Sequence, residues 1–379
     1  MNIPTRTFEL DVDTAVEQLP KLVQAGQFVL TLYMPIEPLD PESNIRLTML
    51  RDAARDLRDS LAGDELTRFD GAVARCESFL RGTSIHYPGI ALFDYGTEDL
   101  YAVGLPSAIG PRLYWIEEPV TLHLRALLDE YERSAVVLID KERARLLMIR
   151  LGKIEESIDF TDEVPGKQAT GDWFALSQTR YERHHQVHVV RHVQRLIDTV
   201  ARKKEESPFN RLLVGGPPEA LALLREKLPQ SLANLTVGTL ALPLFTPDAE
   251  IPEAVKWALE AAERQEELDL VHSIKESCVT NRGVLGVEPT LGALHEGRVH
   301  ELVMVESMDL DLWKCASCSR LTTSKTACQT CGSLVTPIRD PLVRIAQLAE
   351  KQGAAIEFVA GLAGAELLAE GGLAARTRY

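Results

Sequence analysis

Val164 to Lys204 reads VPGKQATGDWFALSQTRYERHHQVHVVRHVQRLIDTVARKK. Pro165, Gly166 and Gly171 punctuate its first part, which predicts a loop as far as about Trp173. From Ser177 onward Val187, Val190, Val193, Leu196, Ile197 and Val200 recur at spacings of three and four, the period of a helix with one apolar side. At about 100° per residue, Arg180, His184, His185, His188, Arg191, His192, Arg195 and Arg202 gather on the other side. Seven Lys or Arg stand against Glu182 and Asp198 between Ser177 and Lys204, and four of the nine histidines lie here, in a chain of net charge −15. A cationic, histidine-rich helix face behind a loop suits an anionic polymer such as RNA, with Arg183 added to the contacting set. A merely solvated face is the alternative.

Length and composition bound the rest. A chain of 379 residues exceeds one ordinary core and predicts two or three domains. Apolar content of 45% and charged content of 26% are those of a soluble globular protein. The opening MNIPTRTFELD has no apolar core of a leader, and no apolar run approaches a membrane span, Val237 to Phe245 coming nearest. The expected location is the cytoplasm, with no membrane partner. The acidic balance argues against indiscriminate coating of nucleic acid, so RNA contact should be local, and no DNA partner is expected.

Strands alternating with helices predict an α/β fold in three α/β domains, 1–127, 128–248 and 249–379. In the first, Phe28 to Met34 is a strand, Leu47, Leu50, Ala54 and Leu57 stripe a helix, a second helix covers about Thr67 to Arg81, and Ile90 to Phe93 pairs with Leu100 to Val103. Cys76 and His86 are lone residues, the cysteine a core residue on an apolar helix face. In the second, Ala135 to Ile139 and Ala144 to Ile149 are strands around the charged turn 140–143, the His-rich helix follows, and Arg211 to Val214 leads through Gly215-Gly216 to a helix opened by Pro217-Pro218. The two glycines lack the Lys and hydroxyl of a phosphate-binding loop and are expected to make a tight turn. Asp140, Asp159 and Asp162 are expected in turns rather than on a metal. The third opens with a helix from Pro252 to about Cys278, ~40 Å long at ~1.5 Å per residue, packed on one side. A small α/β/α sandwich follows, into which 313–335 is inserted.

That insert holds Cys315-x-x-Cys318, nine residues, then Cys328-x-x-Cys331. Two such turns each offer two thiolates to a tetrahedral ion. Zn2+ is the expected cofactor, with a redox dithiol or an iron–sulfur cluster as alternatives. Four thiolates leave no open coordination position, so the ion would be structural and would replace a core that so short a segment cannot build.

The three-part order resembles the archaeo-eukaryotic class-1 peptide-release factors and the ribosome-rescue protein Pelota, and most closely their bacterial relatives. The likeness in element order covers essentially the whole chain. It is specific in the middle, where release factors carry Gly-Gly-Gln-Ser-Ala-Leu, three residues and Arg. This chain has Gly171-Asp172-Trp173-Phe174-Ala175-Leu176, three residues and Arg180. Asn44-Ile45-Arg46 is similar to their Asn-Ile-Lys decoding loop. The resemblance implies an N-terminal domain facing the decoding site and a ribonuclease-H-like middle domain carrying loop and basic helix to the peptidyl-transferase centre. It also implies a C-terminal domain of the kink-turn-binding-protein fold. Implied partners are the ribosome, through rRNA and tRNA, and an elongation-factor-type GTPase.

The departures bear on chemistry. In release factors the Gly-Gly-Gln places water on the peptidyl-tRNA ester. Trp173 has no amide for that task, and Asp172 adds bulk and negative charge. The expectation is a non-hydrolytic factor occupying the ribosomal A site in rescue or dormancy. Gln168, in Gly166-Lys167-Gln168, offers a displaced alternative and makes peptidyl-tRNA hydrolase the first rival. A metal-dependent hydrolase using His184, His188 and His192, neighbours at i and i+4, is the second. A generic interaction or stress protein is the third.

Overall fold

The computed structural model describes residues 6–36, 44–161 and 174–379, and on the helix that starts at Phe174 it describes side chains from Val187 onward. The chain divides into two compact units: Met1–Leu128 with Leu294–Leu302 and Glu306–Ile356, and Asp129–Ala293 with Val303–Val305 and Glu357–Tyr379. Among the described residues no helix is long and apolar enough to cross a membrane.

The first unit is built on strands β1 (Arg6–Leu10), β2 (Val29–Pro35), β3 (Gly89–Asp94), β4 (Asp99–Leu105) and β5 (Arg112–Ile116), in the order β1-β4-β3-β2-β5. The β3–β4 hairpin is the expected one, and only β1–β4 is parallel. Helix α1 (Val12–Gln18) is capped by Asp11, whose carboxylate accepts from Thr14 N at 2.8 Å. Helices α2 (Asn44–Arg58) and α3 (Gly63–Gly82) cover one sheet face with Leu47, Leu50 and Ala54, and with Phe69, Ala72, Val73, Cys76 and Leu80. Cys76 is a core residue, and burial pushes its thiol well up. Beside it Arg75 makes a bidentate pair with Asp94 at 2.6 and 2.7 Å, so neither buried charge lacks a partner.

Helix α4 (Leu122–Glu130) leads to the sheet of the second unit. Its strands are β6 (Ser134–Ile139), β7 (Arg143–Arg150), β8 (Lys153–Thr161), β9 (Arg211–Gly215) and β10 (Thr236–Leu240), in the order β10-β9-β6-β7-β8. β10, β9 and β6 run parallel, while β7 and β8 are antiparallel additions. Both faces are covered, which is why Ala135 to Ile139 is apolar throughout rather than alternating. Ala135, Val137 and Ile139 face helices α5 (Phe174–Glu206) and α6 (Pro218–Lys227). Val136 and Leu138 face Ile251 and Val255 beyond a short helix α7 (Gln230–Ala233) and β10.

Two expectations about this sheet are tested by it. Asp140 does close a turn, accepting from Glu142 N and Arg143 N at 2.8 Å each. Asp159 does not: it lies on β8, 3.2 Å from Arg145. Lys153 to Thr161 is an edge strand whose outward positions are polar, so the stretch looks like a turn in the sequence. Asp162 lies outside the described residues. Gly215-Gly216 makes the expected tight turn, and a Cβ at Gly216 would stand 2.0 Å from the Ile139 carbonyl oxygen.

Helix α8 (Ile251–Val279) lays Ile251, Val255, Val271 and Ile274 on one side, as its pattern predicts. The middle of that stripe is Glu263 and Glu267 rather than apolar residues. Arg211 pairs with Glu263 and, at 2.6 Å, with Glu266; Arg264 lies 3.0 Å from Glu267, which also accepts from Ala360 N at 3.1 Å. The remaining elements are β11 (Gly283–Leu285), α9 (Val287–His295), β12 (Val299–Val305), β13 (Trp313–Cys315), β14 (Leu321–Thr322), β15 (Val335–Pro337), α10 (Pro341–Lys351), β16 (Ala355–Val359), α11 (Gly361–Ala369) and β17 (Leu373–Thr377). β11-β17-β12-β16 form one sheet, through whose strands β12 and β16 the unit boundary runs. β14-β13-β15 form the sheet of the cysteine insert.

Candidate functional site

Helix α5 is the element on which the RNA expectation rests. Its 33 residues span ~50 Å at ~1.5 Å per residue. Val193, Leu196, Ile197 and Val200 are buried against β6, β7, β9 and α6, as the spacing predicts. Val187 and Val190 are not part of that stripe: they are 55% and 37% exposed. Burial on the described part of α5 begins at His192.

Arg191 and Arg195 are exposed, on the outward side expected of them. The Arg195 guanidinium also lies over the Phe160 ring, 5.9 Å from its centroid. Arg202 is exposed and stands 3.7 Å from Glu206. Lys203 and Lys204 turn inward to protein partners: Lys203 lies 2.9 Å from both Glu156 and Glu206, and Lys204 donates to the Phe209 carbonyl. His188 is half-buried.

His192 departs from expectation, because only 1% of its surface is exposed. It follows Arg191 by 100° around the helix, which carries it past the rim of the solvent face into the layer of Val193 and Leu196. A side chain so placed cannot touch a phosphate. Of the histidines of the metal-hydrolase rival, His192 is buried, His188 is half-buried, and the His184 side chain lies outside the described residues. The side chains of Arg180, Arg183, His184 and His185 lie outside the described residues, as do Gln168, Gly171, Asp172 and Trp173 altogether.

The four cysteines form the other candidate centre. Among the described residues they are the group placed to hold a metal, with all four sulfurs within 4.8 Å of one another. Sγ of Cys315 lies 3.4 Å from that of Cys331, Cys318 lies 3.6 Å from Cys328, and Cys331 lies 3.7 Å from Cys318. Disulfides need ~2.05 Å. A tetrahedron with ~2.3 Å metal–sulfur bonds has edges near ~3.8 Å, which these separations approach.

The two knuckles share one backbone design. Cys315 N donates to Arg320 O and Ser319 N to Cys315 O, at 2.9 and 3.1 Å; Cys328 N donates to Ser333 O and Gly332 N to Cys328 O, at 2.9 and 2.8 Å. The fourth residue after each leading cysteine is left-handed, Ser319 at φ 57° and Gly332 at φ 71°. Only the second carries the glycine that this conformation favours. Backbone N–H groups of Ser317 and Cys318 reach the Cys315 sulfur, both at 3.4 Å, as hydrogen bonds to a thiolate ligand do. Hydrogen bonds from the Ser333 hydroxyl and its backbone N–H hold the Cys331 thiol down to about 6. The insert is tied to α9 through His295, whose half-buried ring, its pKa lowered chiefly by desolvation, accepts from Leu321 N at 3.0 Å.

Residues 119–263, the span of the middle sheet, α5 and the first half of α8, match the family described as bacterial archaeo-eukaryotic release factor family 10. "Peptide chain release factor subunit 1" of Thermococcus onnurineus is 26% identical over 307 residues, 72% of this chain and 73% of that protein. The protein of the same name in Thermococcus sibiricus is 24% identical over 314 residues, 78% of this chain and 74% of its own. Among solved structures, a ribosome-bound archaeal Pelota with ABCE1 is 13% identical and covers 97% of this chain and 94% of its own, at a TM-score of 0.44. Residues 119–263 are thus similar to the bacterial branch of the archaeo-eukaryotic release factors, and about three quarters of the chain is similar to archaeal peptide chain release factors.

Proposed function

We propose that the protein is a ribosome-binding translation factor that occupies the A site in rescue or dormancy and does not efficiently hydrolyse peptidyl-tRNA. The observation that carries this is α5: inside the family-matched span, its buried Val193-Leu196-Ile197-Val200 stripe leaves Arg191 and Arg195 outward. Arg180, Arg183, His184, His185 and His188 would extend the contact toward the loop. Exposed arginines along one helix side provide the phosphate contacts that position a protein on folded RNA. Gly171-Asp172-Trp173, where the class has Gly-Gly-Gln, argues for binding without ester hydrolysis.

In this proposal the chain keeps its division into 1–127, 128–248 and 249–379, with a ribonuclease-H-like middle domain and a kink-turn-binding-protein fold in the third. The ion held by Cys315, Cys318, Cys328 and Cys331 is Zn2+, in a structural role. The sulfur separations and the paired knuckles support that choice. An elongation-factor-type GTPase is the partner that would deliver the protein, and the ribosome, through rRNA and tRNA, its target.

One observation favours a second reading. The two curated relatives are named peptide chain release factors, which speaks for a peptidyl-tRNA hydrolase using Gln168. Sedimentation of the purified protein with stalled and idle ribosomes tests the proposal. Co-sedimentation without release of peptide is expected; absence from the ribosomal pellet in both states would refute it.

A further inference from the structure

The end of α4, the turn after it, the start of β9, the middle of α8 and β16 bring an ionic network together within the second unit. Arg211 is shared by Glu132 at 3.7 Å, Glu266 at 2.6 Å and Glu263. Arg264 is shared by Glu130 and, at 3.0 Å, by Glu267. Arg133, on the turn, is held by Glu155 of β8 at 2.7 Å. Two guanidiniums thus serve five carboxylates. Two further carboxyls of the network, Asp129 on α4 and Glu357 on β16, are hydrogen-bonded to each other. Two carboxylate anions cannot make that bond, since neither has a donor, so one of the pair carries a proton.

The place of the pair in the chain gives the bond its interest. Asp129 and Glu357 open two of the three stretches that make up the second unit. Asp129 also accepts from Phe358 N, and Glu267 from Ala360 N, at 3.1 Å each. Ala360 is the residue that caps the start of α11. Carboxyl oxygens of α4 and α8 therefore hold the backbone of 357–360 at two points.

We propose that Asp129 and Glu357 form a proton-operated clasp: the shared proton ties β16 to the end of α4, and its loss lets 357–360 come away from α4 and α8. This is independent of the ribosome-binding reading.

The electrostatics set the direction. Burial, followed by the hydrogen bond and charge of Glu357, lifts the Asp129 carboxyl to about 8, and the Phe358 N–H, which favours the anion, does not offset them. Burial is also the largest cause that lifts Glu263 to about 8 and Glu267 to about 7. A folded-state value above the unfolded one means that the proton stabilises the closed clasp, and that this is lost as pH rises through about 8. Once Asp129 ionises, its bond to Glu357 becomes a repulsion between like charges. Ionisation of Glu263 and Glu267 over the same span adds to the negative charge around it.

Amide hydrogen exchange of the full-length protein tests the clasp, read at Phe358 and Ala360 from pH ~6.5 to ~9 and corrected for the intrinsic exchange rate. Protection of both amides should fall by about tenfold, the change expected when opening is linked to one group that titrates near ~8. Amides of β3 should keep their protection. Asp129→Asn supplies a donor that needs no bound proton, so its protection should stay level over the same range. Infrared difference spectroscopy near pH ~7 gives a second reading: wild type should show a protonated carboxyl band that weakens in Asp129→Asn and in Glu357→Gln. If a variant fails to fold, the two wild-type readings still decide. Level protection in wild type, an equal fall in Asp129→Asn, or no protonated carboxyl band in wild type overturns the proposal.

Discussion

Arg191 and His192 are consecutive on α5, about 100° apart around it, the first exposed and the second with 1% of its surface open. The boundary between the exposed side of the helix and the core therefore runs between them. His192→Ala should lower stability by about 1–3 kcal/mol, the range for a cavity at a packed site. Ribosome affinity, measured well below the melting temperature, should be unchanged. A His192 variant that keeps wild-type stability but loses ribosome binding would place the imidazole on the outer side after all.

Peptide release is the second test. Wild-type protein should release no peptide from stalled ribosomes above background, because Trp173 offers no amide where the class has Gln. Asp172→Gly with Trp173→Gln is the pair that restores the motif and should introduce activity. Strong wild-type release abolished by Gln168→Ala would favour the hydrolase.

The cysteine centre gives the third. Cys315→Ser or Cys328→Ser should each lose about one zinc per chain and unfold 313–335, leaving the sheet of β6, β7 and β9 intact. Elemental analysis after dialysis reads the metal, and proteolysis reads the insert. Zinc retained by a variant lacking all four cysteines would assign it elsewhere.

A fourth concerns pH. Burial, and a hydrogen bond shared with Glu357, push the Asp129 carboxyl up to about 8, against its acceptance of Phe358 N at 3.1 Å. A folded-state pKa raised above the unfolded value means the proton stabilises the folded form. That stabilisation is complete below the unfolded value of 3.8 and is lost as pH rises through about 8. Asp129→Asn keeps a neutral hydrogen-bonding group, so its melting temperature should exceed that of wild type near pH ~9 and converge with it toward pH ~5. Parallel curves for the two proteins would show that no proton is held there.

What the sequence discloses follows what is local. The helix stripes Leu47-Leu50-Ala54 and Val193-Leu196-Ile197-Val200 are visible because period and burial coincide. Val187 and Val190 share that period but are exposed, since among the described side chains of α5 burial begins at His192, a limit set by tertiary packing. β8 is missed because an edge strand needs only one apolar side; the alternation Ile154, Ile158, Phe160 is the signal it leaves. Glu263 and Glu267 look like solvent positions because their partners, Arg211 and the Ala360 N–H, are remote in sequence. The cysteine centre is legible outright from spacing.

The most direct measurement is ribosome binding by Arg180→Ala/Arg191→Ala/Arg195→Ala at about 150 mM salt. Arg191→Ala should leave stability unchanged, while Arg195→Ala gives up its contact with Phe160, about 0.5–1 kcal/mol. If the outward arginines hold rRNA, the triple variant should fail to pellet with ribosomes under conditions where wild type does. Its residual binding should show a smaller salt slope, by something under about one unit per charge removed. Binding equal to wild type, with an equal salt slope, would contradict the account.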